Sequence, residues 1–251
     1  MAAAYNATAT ELFIMNVAAP TIGSLFSSAL ALGPMSAVLE ARGKVELGDV
    51  NPDVFPVLMV NCIAWSIYSA IQSNAYIFSG NIPGVICGLF YTLSTYGLSA
   101  GPTRLKIEKL TLALATALIL TCFATVTVWK AQQAAVLGLF SNALVFAVFS
   151  SPLTTLAEVL RTRNSVSINR PFGIIQVLNC FTWVAYSVYI HDMYLIIPNV
   201  FGLALGVVQC ALMVVFPAKP LLKLSSSDPN LLANDVLSDY AERTPEPPQE
   251  P

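Results

Sequence analysis

"NCIAWSIYS" at residues 61–69 returns as "NCFTWVAYS" at residues 179–187. Asn, Cys, Trp, Tyr and Ser keep their spacing, 118 residues apart. The same offset pairs Pro34 with Pro152, Glu40 with Glu158, Asn81 with Asn199, Gly84 with Gly202 and Gly88 with Gly206. Both halves therefore read P-x5-E, then N-C-x2-W-x2-Y-S, then N-x2-G-x3-G, with no insertion between blocks. Chance alignment of apolar sequence would match mainly Leu, Val and Ala. The matches here are Pro, Asn, Trp, Tyr and Gly, and duplication explains them.

The segments carrying this repeat are apolar. The chain has 251 residues, of which 56% are hydrophobic and 10% charged. Soluble domains carry about 25% charged residues. A larger core cannot account for the deficit, because a surface in water needs its charges. Lipid is the solvent this composition fits. A net charge of -2 and the lack of a basic tract give no reason to expect nucleic acid as a partner. Cys62, Cys87, Cys122, Cys180 and Cys210 all lie in apolar runs without CxxC spacing, so neither a metal site nor a redox motif is expected. No cofactor is indicated.

Crossing the hydrocarbon takes about 20 apolar residues as a helix. The apolar stretches run at 12–38, 54–73, 76–99, 110–129, 135–156, 172–190 and 194–216. Three crossings leave the chain on the opposite side of the membrane, so a second triplet following directly would be inverted. The fourth span restores the direction. The expected fold is all-α: two parallel three-helix bundles joined by a linker helix, related by an axis along the membrane normal. Residues 1–100 hold the first repeat, 101–134 the linker and 135–216 the second repeat, with a polar, disordered tail at 217–251.

Short loops place the cations asymmetrically. Eleven of the twelve Lys and Arg residues fall on one side, and Lys130 alone on the other. By the positive-inside rule the N-terminus lies outside and the C-terminus in the cytosol. The first apolar stretch lacks a basic leader and a cleavage site, and reads as a spanning helix. Asn6 opens a glycosylation sequon close to the membrane, and chance explains it adequately. Ser225–Ser227 and Thr244 are candidate phosphorylation sites in the tail.

Several side chains are out of place in lipid unless they have work to do. The indoles of Trp65 and Trp183 can stack on the apolar face of a ring and donate one hydrogen bond each. Interfacial anchoring is the alternative, but a duplicated Trp four residues after an Asn favours a pocket. The amides of Asn61, Asn81, Asn179 and Asn199 suit hydroxyl groups, which both donate and accept. Helix–helix hydrogen bonding fits Asn61 and Asn179 equally well. The duplicated G-x3-G reads as close helix packing. Pro34 and Pro152 should kink or break their helices. No ionisable residue falls in mid-span, which disfavours proton or sodium coupling and points to a neutral solute.

The chain resembles the SWEET sugar transporters of the PQ-loop superfamily over residues 12–216. The motifs that carry the likeness are "SSPL" (150–153), "LNCFTWVAYS" (178–187) and "HDMYLIIPNVFGLALGVVQ" (191–209), with "GPM" (33–35), "VNCIAWSIYS" (60–69) and "GNIPGVICG" (80–88) in the first half. The resemblance implies that Asn81 and Asn199 contact the substrate. It implies that Ser27, Leu30, Val145 and Val148 line the pocket. Pro34, Pro152, Pro56 and Pro171 match a cytosolic hinge, with Pro52 a rival for Pro56. Tyr68 and Asp192 match an outer gate, although Asp192 taken alone reads as a loop acid. The implied activity is bidirectional sugar uniport by alternating access, with no covalent chemistry. Glucose, fructose and sucrose all remain open as substrates. A homo-oligomer, often a trimer, and the plasma membrane are implied, and an internal membrane is the alternative.

Other carriers and receptors fit less well. A PQ-loop carrier of amino acids or another neutral solute should show Pro-Gln pairs and a membrane Asp. A seven-helix receptor should not show an in-register duplication. A retinal protein needs a Lys in its last span. A non-transport scaffold leaves the polar residues without a purpose.

Overall fold

The computed structural model describes residues 8–218. Asn6, the candidate phosphorylation sites and the tail from residue 219 onward lie outside the described residues. Among the described residues the chain is helical without strands. Its helices are α1 (Ala9–Phe13), α2 (Ala19–Leu32), α3 (Met35–Lys44), α4 (Val54–Ile71), α5 (Ala75–Leu98), α6 (Gly101–Thr127), α7 (Gln133–Thr162), α8 (Arg170–Tyr189) and α9 (Met193–Val215). A π-helical turn, Ile14–Ala18, joins α1 to α2 just ahead of Pro20. The composite Ala9–Lys44 is one of seven helices among the described residues that are long and apolar enough to cross a membrane.

The ends of these helices follow local chemistry. Asn74 Oδ1 accepts from the backbone N–H of Tyr76 and Ile77, and Asp192 Oδ1 from that of Tyr194 and Leu195. These caps start α5 and α9 at equivalent points of the repeat. Among the described residues, four that are not glycine have positive φ: Val45 at 57°, Ser73 at 51°, Arg163 at 51° and His191 at 57°. They form two pairs, each 118 residues apart. The duplication thus extends to backbone conformations whose side chains differ.

Each half packs in the order first, third, second helix. In the first half α2 lies against α5, and α5 against α4; in the second, α7 lies against α9, and α9 against α8. The halves meet through α2 with α8 and α4 with α7, and α6 leans on α4, α5 and α7. These are the two three-helix bundles and linker the duplication implies. Lys106 of α6 is ion-paired with Asp53, just ahead of α4. The outward faces carry Leu112, Ile119, Phe123, Leu139, Phe181 and Val214, all strongly exposed. Such a surface is at odds with water and suited to lipid.

Glycine allows the tightest approaches. A Cβ added at Gly84 would lie 2.5 Å from Cys62 Sγ, and one at Gly202 would lie 2.8 Å from Cys180 Sγ. The packing role expected of the G-x3-G pairs is thus visible as α5 against α4 and α9 against α8.

Three local details differ from a simple reading of the repeat. First, α6 starts at Gly101, with Pro102 in its first turn, so Arg104, Lys106 and Lys109 sit on the helix and not in a loop. Second, the paired prolines behave differently. The chain breaks between α2 and α3 at Gly33–Pro34, but α7 runs unbroken through Pro152. At the first site Gly33 N–H turns back to Leu30 O at 3.1 Å, and the Tyr91 hydroxyl donates to Ala31 O at 2.8 Å. At the second site Ser151 replaces Gly33 and Gln209 replaces Tyr91. Third, Pro56 and Pro171 occupy the first turns of α4 and α8. Proline there removes no intrahelical bond, so both act as helix starts and not kinks. Pro83 and Pro198 are the helix-interior prolines the sequence reading passed over.

Candidate functional site

A polar chamber lies where the two bundles face each other. Ser27, Asn61, Trp65, Asn81, Val145, Val148, Asn179, Trp183 and Asn199 all line it. Leu30 lies further along the same cavity. The lining of the chamber holds no Asp, Glu, Lys, Arg or His. Phe149, Gln176 and Cys180 also line it, and sequence reasoning passed over them.

The pocket amides are partly engaged. Asn81 Nδ2 donates to Ile77 O and Asn199 Nδ2 to Leu195 O, each at 2.8 Å on its own helix. One N–H of each amide fixes its rotamer. The carbonyl oxygen and the second N–H remain for a solute. On the second-half wall the Trp183 indole N–H donates to Ser27 Oγ at 2.9 Å, and Ser27 Oγ donates to Asn179 Oδ1 at 2.8 Å. Ser27 belongs to α2, so this chain of bonds crosses between the halves.

From the chamber the cavity widens toward Pro34, Pro152, Thr155, Asn169 and Phe172, with a volume of ≈ 450 Å³. This is the end of the bundle that carries Arg42, Lys44, Arg161, Arg163 and Arg170. The opposite end is closed. There the Tyr68 hydroxyl lies 2.8 Å from both carboxylate oxygens of Asp192, which is buried. A second contact mirrors it: Asn74 Nδ2 donates to the Tyr186 hydroxyl at 2.7 Å. Tyr186 stands 118 residues after Tyr68, and Asp192 118 after Asn74. The repeat register contained this second pair, but only the Tyr68–Asp192 half was read from it. Beneath both contacts Trp65, Tyr68, Ile77, Leu137, Trp183, Tyr186 and Leu195 form a packed cluster.

A further buried contact escaped the sequence reading. Pro198 has no N–H for Tyr194 O, and Asn142 Nδ2 donates to that carbonyl at 3.0 Å. Its counterpart Ser24 approaches Tyr76 O at 2.9 Å.

The sequence and fold have known likenesses. Residues 135–221 match a family model described as "Sugar efflux transporter for intercellular exchange". Sugar transporter SWEET1 of Drosophila pseudoobscura pseudoobscura is 27% identical over 70% of this chain and 78% of that protein. Bidirectional sugar transporter SWEET15 of Oryza sativa subsp. japonica is 26% identical over 82% of this chain and 66% of that protein. The chain is thus similar to SWEET transporters over most of its length. A eukaryotic SWEET transporter structure superimposes with a TM-score of 0.73 at 22% identity, covering 81% of this chain and 97% of the other. The SWEET fold therefore spans both halves here, although the family model matches only the second. The chamber, its two Trp–Asn pairs and its two tyrosine contacts sit on that fold at its internal symmetry positions.

Proposed function

We propose that this SWEET relative carries a sugar passively across a membrane, as a uniporter working in either direction. One observation carries the reading: an uncharged chamber of paired Trp and Asn between two copies of one bundle, open toward one end and closed at the other. Indole faces suit the C–H faces of a sugar ring, and carboxamides suit its hydroxyls. No ionisable group lines the chamber, so transport is not coupled to protons or sodium. The names of the relatives support a sugar over other neutral solutes.

The cycle alternates access. In the present state the cationic end is open and the tyrosine contacts hold the other end shut. Residues 1–100 and 135–216 rock as units about the chamber, with 101–134 as their link. The break at Pro34 and the helix-interior Pro152 give at the cationic end. Breaking the Tyr68–Asp192 and Asn74–Tyr186 bonds opens the opposite mouth. No covalent bond is made or broken. The cation asymmetry puts the open end in the cytosol and the N-terminus outside. We place the chain in the plasma membrane as a homo-oligomer whose protomers each hold a path.

The test is uptake of labelled glucose, fructose and sucrose by transporter-deficient cells expressing the chain, across external pH. Saturable uptake of at least one sugar, insensitive to pH and lost in Asn199→Ala, supports the reading. Uptake that needs a proton gradient contradicts it.

A further inference from the structure

The two walls of the chamber carry the same residues but not the same hydrogen bonds. On the second-half wall, Ser27 satisfies both Trp183 Nε1 and Asn179 Oδ1. On the first-half wall the repeat puts Trp65 where Trp183 stands, Asn61 where Asn179 stands, and Val145 where Ser27 stands. Val145 has no hydroxyl, so nothing bridges Trp65 to Asn61. Its side chain packs against the cluster that contains Trp65. Asn61 is 91% buried, and its Oδ1 has no hydrogen-bond partner among the described residues. A buried acceptor without a donor is costly, and most such groups find a partner.

We propose that the Trp65–Asn61 wall is the one that binds a solute hydroxyl, while the Trp183–Asn179 wall, already satisfied by Ser27, presents only its ring face. This rests on the sugar-carrier reading and specifies its geometry. One hydroxyl can accept from Trp65 Nε1 and donate to Asn61 Oδ1, the two roles Ser27 fills opposite. Asn61 Oδ1 is covered when the chamber is empty, so binding shifts the side chains around it slightly and gives the orphaned acceptor its donor. The nearly symmetric chamber thus holds a sugar in one orientation, with a hydroxyl edge toward α4 and α7.

Side-chain swaps of similar size test this. Val145→Ser supplies the missing hydroxyl from the protein and competes with the solute. Val145→Ala removes similar bulk without a hydroxyl. Ser27→Ala frees the second wall. Saturation curves for whichever of labelled glucose, fructose or sucrose the wild type carries give KM, which does not depend on the amount of protein at the surface. The proposal expects Val145→Ser to raise KM about five- to tenfold over Val145→Ala, the worth of one hydrogen bond. It expects Ser27→Ala, which frees Trp183 Nε1 and Asn179 Oδ1 for a second solute hydroxyl, to lower KM. It is overturned, with the carrier reading intact, if the two Val145 variants share one KM or if Ser27→Ala leaves KM level or raises it. Should Val145→Ser fail to reach the surface, Ser27→Ala decides alone. A wild type at the surface that carries none of the three sugars overturns the carrier reading and this proposal with it.

Discussion

The amide of Asn199 and the hydroxyl of Tyr186 show how single atoms set the chemistry here. Asn199 holds itself to Leu195 O and keeps an oxygen and an N–H for the chamber. Asn199→Ala removes both, and on the proposed reading a solute hydroxyl loses its partner in the chamber. Saturable uptake by the variant is expected to fall by at least about tenfold, measured at equal surface expression. Asn81→Ala is expected to match it, because Asn81 makes the equivalent bond to Ile77 O. Tyr186 plays a different part: its hydroxyl accepts from Asn74 at the closed end. Asn74→Ala should weaken closure on that side and make a reporter cysteine at Leu137, buried in the cluster beneath the contacts, reactive to a cysteine reagent. No gain in labelling over the reporter alone would show that Tyr68–Asp192 suffices as the gate.

At the scale of helices, glycine and proline decide how closely and how straight the elements run. Gly84→Ala pushes a methyl to 2.5 Å from Cys62 Sγ. It should destabilise the detergent-solubilised protein by about 1–3 kcal/mol. The added Cys62→Ala should recover part of the loss in a thermal melt; if it recovers none, the contact is not the cause. Tyr91→Phe leaves Ala31 O without its donor at the α2–α3 break. A loss of about 1–3 kcal/mol is expected there too.

Much of this was legible in the sequence. The 118-residue register fixed the order of the helices and the pairing of Asn, Trp and Gly, because those residues have few other reasons to recur. The difference between Pro34 and Pro152 was not legible. It depends on what surrounds each freed carbonyl, and Tyr91 reaches Ala31 across 60 residues of chain. The first-turn placement of Pro56 and Pro171 was hidden for a related reason. A proline kinks a helix only if residues well ahead of it are already helical, and the apolar pattern blurs where α4 and α8 begin. Asn74 and Tyr186 were available in the register and missed because Asn74 looks like an ordinary loop residue.

Taken whole, the chain is two copies of one bundle facing each other across a neutral chamber, with the exposed apolar faces of α5, α6 and α9 turned outward. The chamber opens toward the end rich in Arg and Lys and is shut at the other by two related side-chain contacts. A molecule so built should move a neutral passenger down its gradient and nothing more. Sugar counterflow in proteoliposomes containing the purified chain measures this most directly. The expected result is saturable exchange of labelled for unlabelled sugar in both directions, decaying to equal concentrations and unchanged by an imposed pH gradient. Accumulation of the sugar above its external concentration when a pH gradient is applied would contradict the account.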